Sequence, residues 1–199
     1  LEQEHELADH VSQVAPEAAT YLRSIGATTA TKRNPGKLVS DFLKFHRCGT
    51  WESYEDLHYE VTTGDFALAA LREGQRGIDP TVLTTWLRAG ELNEAFEAGA
   101  KRDYDPARLR ATLPTLRERA AKPDRLLLRD LAGILADVGV VLIVVEPPKK
   151  FPLHGVTRWI KKRVPVIQQT GRRGTDGFII WTLFHEIGHV LEDPRGEMH

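Results

Sequence analysis

Sulfur is nearly absent from this chain: 199 residues contain one cysteine, Cys48, and one methionine. Neither a disulfide framework nor a Cys-rich zinc finger is available to it. Cys48 itself reads as a small half-buried residue in Phe45-His46-Arg47-Cys48 rather than as a catalytic thiol working with His46. Long apolar runs are missing too. The longest, Val138 to Val145, is far too short to span a bilayer, and no signal peptide opens the sequence. No membrane partner is therefore expected, and a cytoplasmic location is the default. There is no fixed-period repeat and no low-complexity tract. What is present is a composition 41% hydrophobic and 28% charged, enough to bury a core as one large domain or two small ones. Because the chain begins at Leu1 rather than Met and stops eight residues after Leu191, it is expected to be a fragment trimmed at both ends.

A net charge of −1 hides an asymmetry between the halves. Residues 1–100 carry 9 Lys+Arg against 16 Asp+Glu, whereas 101–199 carry 18 against 12. From Lys149 to Arg173 there are eight basic residues and no acidic one. Such a segment can draw an acidic or phosphate-rich partner, although a solvated basic face is the commoner meaning. No aromatic-interleaved nucleic-acid module is legible in it.

Local signals divide the chain into helices and then strands. Glu2 to Ser24 is a helical pattern that Gly26 can stop, and the polar break Thr28 to Gly36 looks like a linker. Lys37 to His46 follows, with Leu38, Phe42 and Phe45 as a buried stripe, then a less regular helical stretch from Tyr54 to Leu71. Asp79-Pro80 and Asp105-Pro106 each place a capping carboxylate before a proline at the first helical position, and Pro114 is expected to restart the second helix. After Pro123, Leu127, Leu131, Ile134, Leu135 and Val138 mark one face of a helix ending near Gly139. Strands are expected at Val140 to Val145, Gly155 to Ile160 and Val164 to Thr170. Pro165 lacks a ladder donor, which argues for the third strand at a sheet edge, where an extended peptide could be added. Arg172 to Asp176 then turns the chain into its last helix. The expected fold class is α+β, with a helical regulatory or partner region at 1–120 and a second domain at 121–199.

The last helical pattern, Phe178 to Leu191, contains His185-Glu186-Ile187-Gly188-His189. Positions i and i+4 share a helix face, so two imidazoles can bind one zinc while the glutamate between them acts as general base. His185 and His189 are the candidate ligands and Glu186 the candidate catalytic residue. Ile179, Ile180, Leu183, Phe184, Ile187, Val190 and Leu191 fill a broad arc roughly opposite the histidines. Gly188 is then most easily understood if something approaches the backbone closely. With 8 His in the chain, the pattern arises by accident roughly 0.03 times per chain of this composition, which favours a metal site over two structural histidines.

Taken together, His154-Gly155-Val156-Thr157-Arg158-Trp159, Pro165-Val166-Ile167, Asp176-Gly177-Phe178 and Phe184 to His189 resemble the ImmA/IrrE family of zinc metallopeptidases. Thr85-Trp86-Leu87-Arg88-Ala89-Gly90-Glu91 resembles the longer bacterial regulators, the HigA-like antitoxin group among them, that join a helix-turn-helix domain to such a peptidase-like domain. The resemblance spans roughly residues 37–191. It implies a Zn2+ cofactor, a gluzincin-like core, and proteolytic control of transcriptional repressors or stress responses; the acidic helical half beside the basic segment Lys149 to Arg173 adds the expectation of one specific regulatory or toxin protein as partner. It also implies DNA binding through a helix-turn-helix domain that this chain does not display.

The family's third ligand, an acidic residue, comes from a helix after the metal helix, and this chain ends before one. The third ligand is therefore unassigned. Glu192 and Arg195 stand where a metzincin needs glycine and histidine. Glu192 shares the helix face, but ligands from three consecutive turns of a straight helix spread over about 10 Å, too far for metal bonds near 2 Å. Glu197 and His199, beyond Pro194, read as a solvated tail. A regulatory or antitoxin module that binds a partner and keeps the metal site as sensor or relic is the competing expectation.

Elemental analysis of the purified protein is expected to find about one zinc per chain, bound weakly where the third ligand is missing. His185→Ala and His189→Ala should each abolish it and Glu186→Gln should largely keep it. A Glu186 variant as empty as the histidine variants would overturn these roles.

Overall fold

The computed structural model describes residues 7–59, 78–171 and 175–192. It is a mixed α+β chain that divides into two compact units, residues 1–88 with 148–152 and residues 89–147 with 153–199. Among the described residues, no helix is long and apolar enough to cross a membrane.

In the first unit, a 3-10 turn at Ala8–Gln13 leads into α1 (Pro16–Ser24), α2 (Pro35–His46), α3 (Trp51–Leu57) and α4 (Pro80–Glu91), of which the part up to Arg88 belongs here. Proline at the first position opens α1, α2 and α4 because its missing N–H has no intrahelical partner there anyway. Gly26 stops α1 as expected, at φ 73°. The break after it is not a linker. Thr28 and Ala30 are buried, and the Thr28 hydroxyl donates to Asp41 of α2 at 2.7 Å, so this stretch packs within the unit. Leu38 and Phe42 are buried and Phe45 is half-buried, as the spacing predicts. Asp79 caps α4, accepting from the Thr81 N–H at 2.8 Å. Residues 60–71 of the expected Tyr54–Leu71 helix lie outside the described residues.

Thr85, Trp86 and Leu87, which carry part of the family resemblance, are core residues of this unit. Trp86 is fully buried with its ring 4.8 Å from that of Phe151, and Arg88 donates to the Phe45 carbonyl at 3.0 Å. Beside them lies an aromatic and histidine cluster. His46, 2% exposed, has Nδ1 3.0 Å from Nε2 of His58 and packs against the rings of Phe42 and Tyr54. Burial foremost, then the charges of His58 and Arg88, lower the His46 pKa from 6.5 to about 2.

The second unit contains α5 (Glu94–Gly99), α6 (Pro106–Ala120), α7 (Leu127–Ala136), β1 (Val141–Val144), β2 (Gly155–Ile160), β3 (Val164–Gln169) and α8 (Asp176–Glu192). Asp105 caps α6 by accepting from the N–H groups of Ala107 and Arg108. Pro114 does not restart this helix; it sits inside it. The carbonyl it leaves without a helical donor belongs to Arg110, on the exposed side, where water can serve it. Leu109 and Leu116 of α6, Leu127, Leu131 and Leu135 of α7, and Leu183, Ile187 and Val190 of α8 form one core with Leu142 and Ile167 of the sheet. α6 thus packs with α7 and α8, across the boundary expected at 120. Gly139, at φ 79°, is irreplaceable here: a Cβ would lie 2.5 Å from the backbone of Asp103 and Tyr104.

The strand order is β1-β3-β2. β3 is central, not an edge. It pairs parallel with β1 from Val141↔Val166 and antiparallel with β2 from Ile160↔Val164 to Gly155↔Gln169. Pro165 is tolerated because its pair is Trp159 alone and the β1 ladder begins one residue later, so no ladder bond to β1 is lost. Among the described residues, the sheet therefore ends at β1 on one side and at β2 on the other. Between β2 and β3, Lys161 and Lys162 adopt φ of 50° and 56°, left-handed conformations that cost a non-glycine residue roughly 1 kcal/mol each.

The depressed His46 pKa makes stability pH-dependent. His46 is neutral in the folded chain, while an unfolded chain takes up the proton below about 6.5. Its contribution is thus fully present above pH 6.5 and is lost as pH falls toward 2. Urea titrations should show roughly 2 kcal/mol less stability at pH 5 than at pH 7.5, and His46→Leu should remove most of that difference. An unchanged pH dependence in the variant would show that another group carries it.

Candidate metal centre

α8 is apolar on one side because it lies against β2, β3 and α6. The Thr175 carbonyl accepts from the N–H groups of Phe178 and Ile179 at 3.0 and 3.2 Å, starting the helix where the sequence places it. At its other end, Tyr104 donates to the Val190 carbonyl and Arg110 to that of Leu191, serving acceptors that a helix terminus leaves over.

The buried face is rotated from the arc expected. Leu183, Ile187 and Val190 are buried, but so are Thr182 and Glu186, whereas Ile179, Ile180, Phe184 and Leu191 are only partly covered. Glu186, 5% exposed, therefore lies in the seam between helix and sheet. His185 is exposed and His189 half-buried at the margin of that seam. Gly188 has open space around it: no described atom lies within 4 Å of where its Cβ would be. The close backbone approach expected there is not made by any of the described residues.

The two histidines converge. Nε2 of His189 stands 3.2 Å from Nε2 of His185. Two nitrogens each about 2.0–2.1 Å from a tetrahedral zinc stand about 3.2–3.4 Å apart. The pair thus fits two positions of such a metal; without one, the same contact serves as an N–H···N hydrogen bond. Trp181, 63% exposed, lies parallel to the His185 ring at 5.5 Å, restricting it from the solvent side. Phe178 continues this aromatic strip toward His154, whose ring meets it edge-on at 4.8 Å. Among the described residues, no third histidine, cysteine or carboxylate completes a ligand set. Glu192 is exposed, and Glu197 and His199 lie outside the described residues.

Glu186 is held by two residues that the sequence reading did not single out. The Thr157 hydroxyl donates to Oε2 at 2.8 Å and lies 3.2 Å from the Glu186 carbonyl oxygen. Gly155, two residues earlier and so on the same face of β2, leaves the space into which Oε1 fits. A Cβ there would lie 2.8 Å from Oε1 and equally close to Cγ2 of Thr182. The signal was present in part: alternation along a strand turns positions 155, 157 and 159 to one side, and two of them are the smallest and a hydroxyl residue. Which helix they would meet was not readable. The remainder of β2 serves structure on the other face, where Arg158, 7% exposed at its side chain, pairs with Glu91 at 2.7 Å.

Scans against protein-family models, curated proteins and solved structures return no match to this chain.

Gly155→Ala is expected to displace the Glu186 carboxylate and cost roughly 1–3 kcal/mol in denaturant unfolding. Adding Glu186→Ala should recover part of that loss. Thr157→Val, nearly isosteric, should cost about 1–3 kcal/mol by removing one donor from a buried carboxylate. If the Gly155 penalty is the same with and without Glu186, the two residues do not share the space inferred for them.

Proposed function

We propose that this chain is a zinc-dependent metallopeptidase domain of the ImmA/IrrE kind, belonging to a bacterial transcription or stress regulator and acting on one specific regulatory or toxin protein. The observation that carries the reading is the 3.2 Å convergence of the His185 and His189 Nε2 atoms on the helix that also bears Glu186. Zinc held there supplies a Lewis acid, lowering the pKa of water and polarising a carbonyl. The third ligand remains unassigned.

Glu186 is the group that takes a proton from the attacking water and returns it to the leaving amine. Thr157 fixes one oxygen of its carboxylate, which orients the other, and the helix–sheet seam keeps bulk water from the carboxylate. The parallel Trp181 ring limits rotation of His185. A peptide would lie along the outer edge of β2, the strand that touches Glu186, rather than along β3, whose two sides are both occupied by strands. The basic stretch around this strand suits an acidic partner.

The second reading is a non-catalytic antitoxin or regulator module with a sensory or vestigial metal site. Partial burial of Glu186 against β2 favours it in one respect, because a carboxylate so held also serves as a structural group. DNA contact in either case would come through a helix-turn-helix domain outside this sequence.

Incubating wild type and Glu186→Gln, both zinc-loaded, with the proteins encoded beside it separates the two. Cleavage of one such protein by wild type alone, with binding retained in Glu186→Gln, is the expected result. Binding by both and cleavage by neither would leave the binding module.

A further inference from the structure

The turn between β2 and β3 is made by Ile160, Lys161, Lys162 and Arg163, with the Arg163 N–H donating to the Ile160 carbonyl at 3.0 Å. Positive φ at both Lys161 and Lys162 is the signature of a type I′ turn, for which Asn-Gly is the preferred pair. Two lysines there are strained, and strain of this kind gathers at positions with a task beyond folding. Their neighbour Arg163 is already engaged, 2.9 Å from Asp103. Lys161 and Lys162 are exposed, and among the described residues neither enters an ion pair.

The position of this turn gives its charge a direction. β2 begins at Gly155, against Glu186, and ends at Ile160, immediately before the lysines. At about 3.3 Å per residue, Lys161 lies roughly 13 Å along the strand from Thr157 and 20 Å from Gly155. Among the described residues, no strand pairs with the outer edge of β2. A peptide added to that edge in the more stable antiparallel sense runs its N-terminal part past the turn and its later residues toward Glu186.

We infer that Lys161 and Lys162 are specificity determinants of the Glu186 site, selecting substrates with an aspartate or glutamate about four to six residues N-terminal to the cleaved bond. This rests on the peptidase reading above and adds the chemical class of substrate to it. The lysines recognise charge and leave the bond-breaking geometry alone, so they act on affinity and on KM rather than on kcat.

The test uses zinc-loaded Glu186→Gln protein to capture peptides from a random decapeptide library, with the turn either native or changed to Lys161→Asn/Lys162→Gly. The substituted pair suits the turn, so the variant should melt at a higher temperature, and loss of folding cannot account for a lost preference. Native turn should enrich acidic peptides about tenfold over neutral ones, and the substituted turn should lose that enrichment. On wild-type background the substituted turn should raise KM for the selected peptides about tenfold with kcat unchanged. Peptides captured without charge preference, or with a preference that survives the substitution, overturn this inference and leave the peptidase reading standing. Capture of no peptide by either protein overturns the β2 track and this inference with it, while cleavage of a whole protein in the preceding experiment would still mark the chain as a peptidase.

Discussion

A carboxylate can be buried against a β-sheet only where a donor meets it and space is left for it. Both conditions at Glu186 come from one strand. Thr157 supplies the donor and Gly155 supplies the space, two residues apart on one face of β2. That contact helps to set the rotation of α8 about its axis, together with the core residues of the same helix. With Glu186 turned into the seam, Leu183, Ile187 and Val190 enter the core, and His185 and His189 come to its margin with their Nε2 atoms together. A different rotation would bury a histidine or expose the glutamate.

The core behind the helix has a supporting part. Residues from α6, α7 and α8 interlock over Leu142 and Ile167, so the helix cannot slide along the sheet without opening cavities. The opposite face of the sheet is closed separately by Val141, Ile143 and Val166 with Phe96 of α5. Burial on both faces makes β3, the strand between the other two, the most constrained. Among the described residues β2 pairs with a strand on one side only, and it is the strand in contact with Glu186.

Cation placement follows from the same sheet. Arg158 points to the face away from α8 and is neutralised by Glu91, and Arg163 is matched by Asp103. Of the basic stretch seen in the sequence, Lys149, Lys150, Lys161 and Lys162 face solvent and enter no ion pair among the described residues. A charge count cannot make that distinction, because it depends on which acidic side chains arrive from distant parts of the chain.

Local interactions made much of the fold legible in the sequence. Asp79-Pro80 and Asp105-Pro106 start helices, Gly26 and Gly139 end them, and the strand at residues 155–160 lies where its pattern puts it, because capping, left-handed glycines and alternation act over a few residues. The i, i+4 histidines were equally legible, since one helical turn suffices to bring them together. Pro114 misled because the hydrogen bond it removes falls on the exposed side of α6, and Pro165 misled because the β1 ladder starts one residue after it. Strand order, the union of Thr157 with Glu186 across 29 residues, and the packing of α6 with α8 were decided by tertiary structure alone. Each depends on which distant apolar faces are buried together, and no run of neighbouring residues encodes that choice.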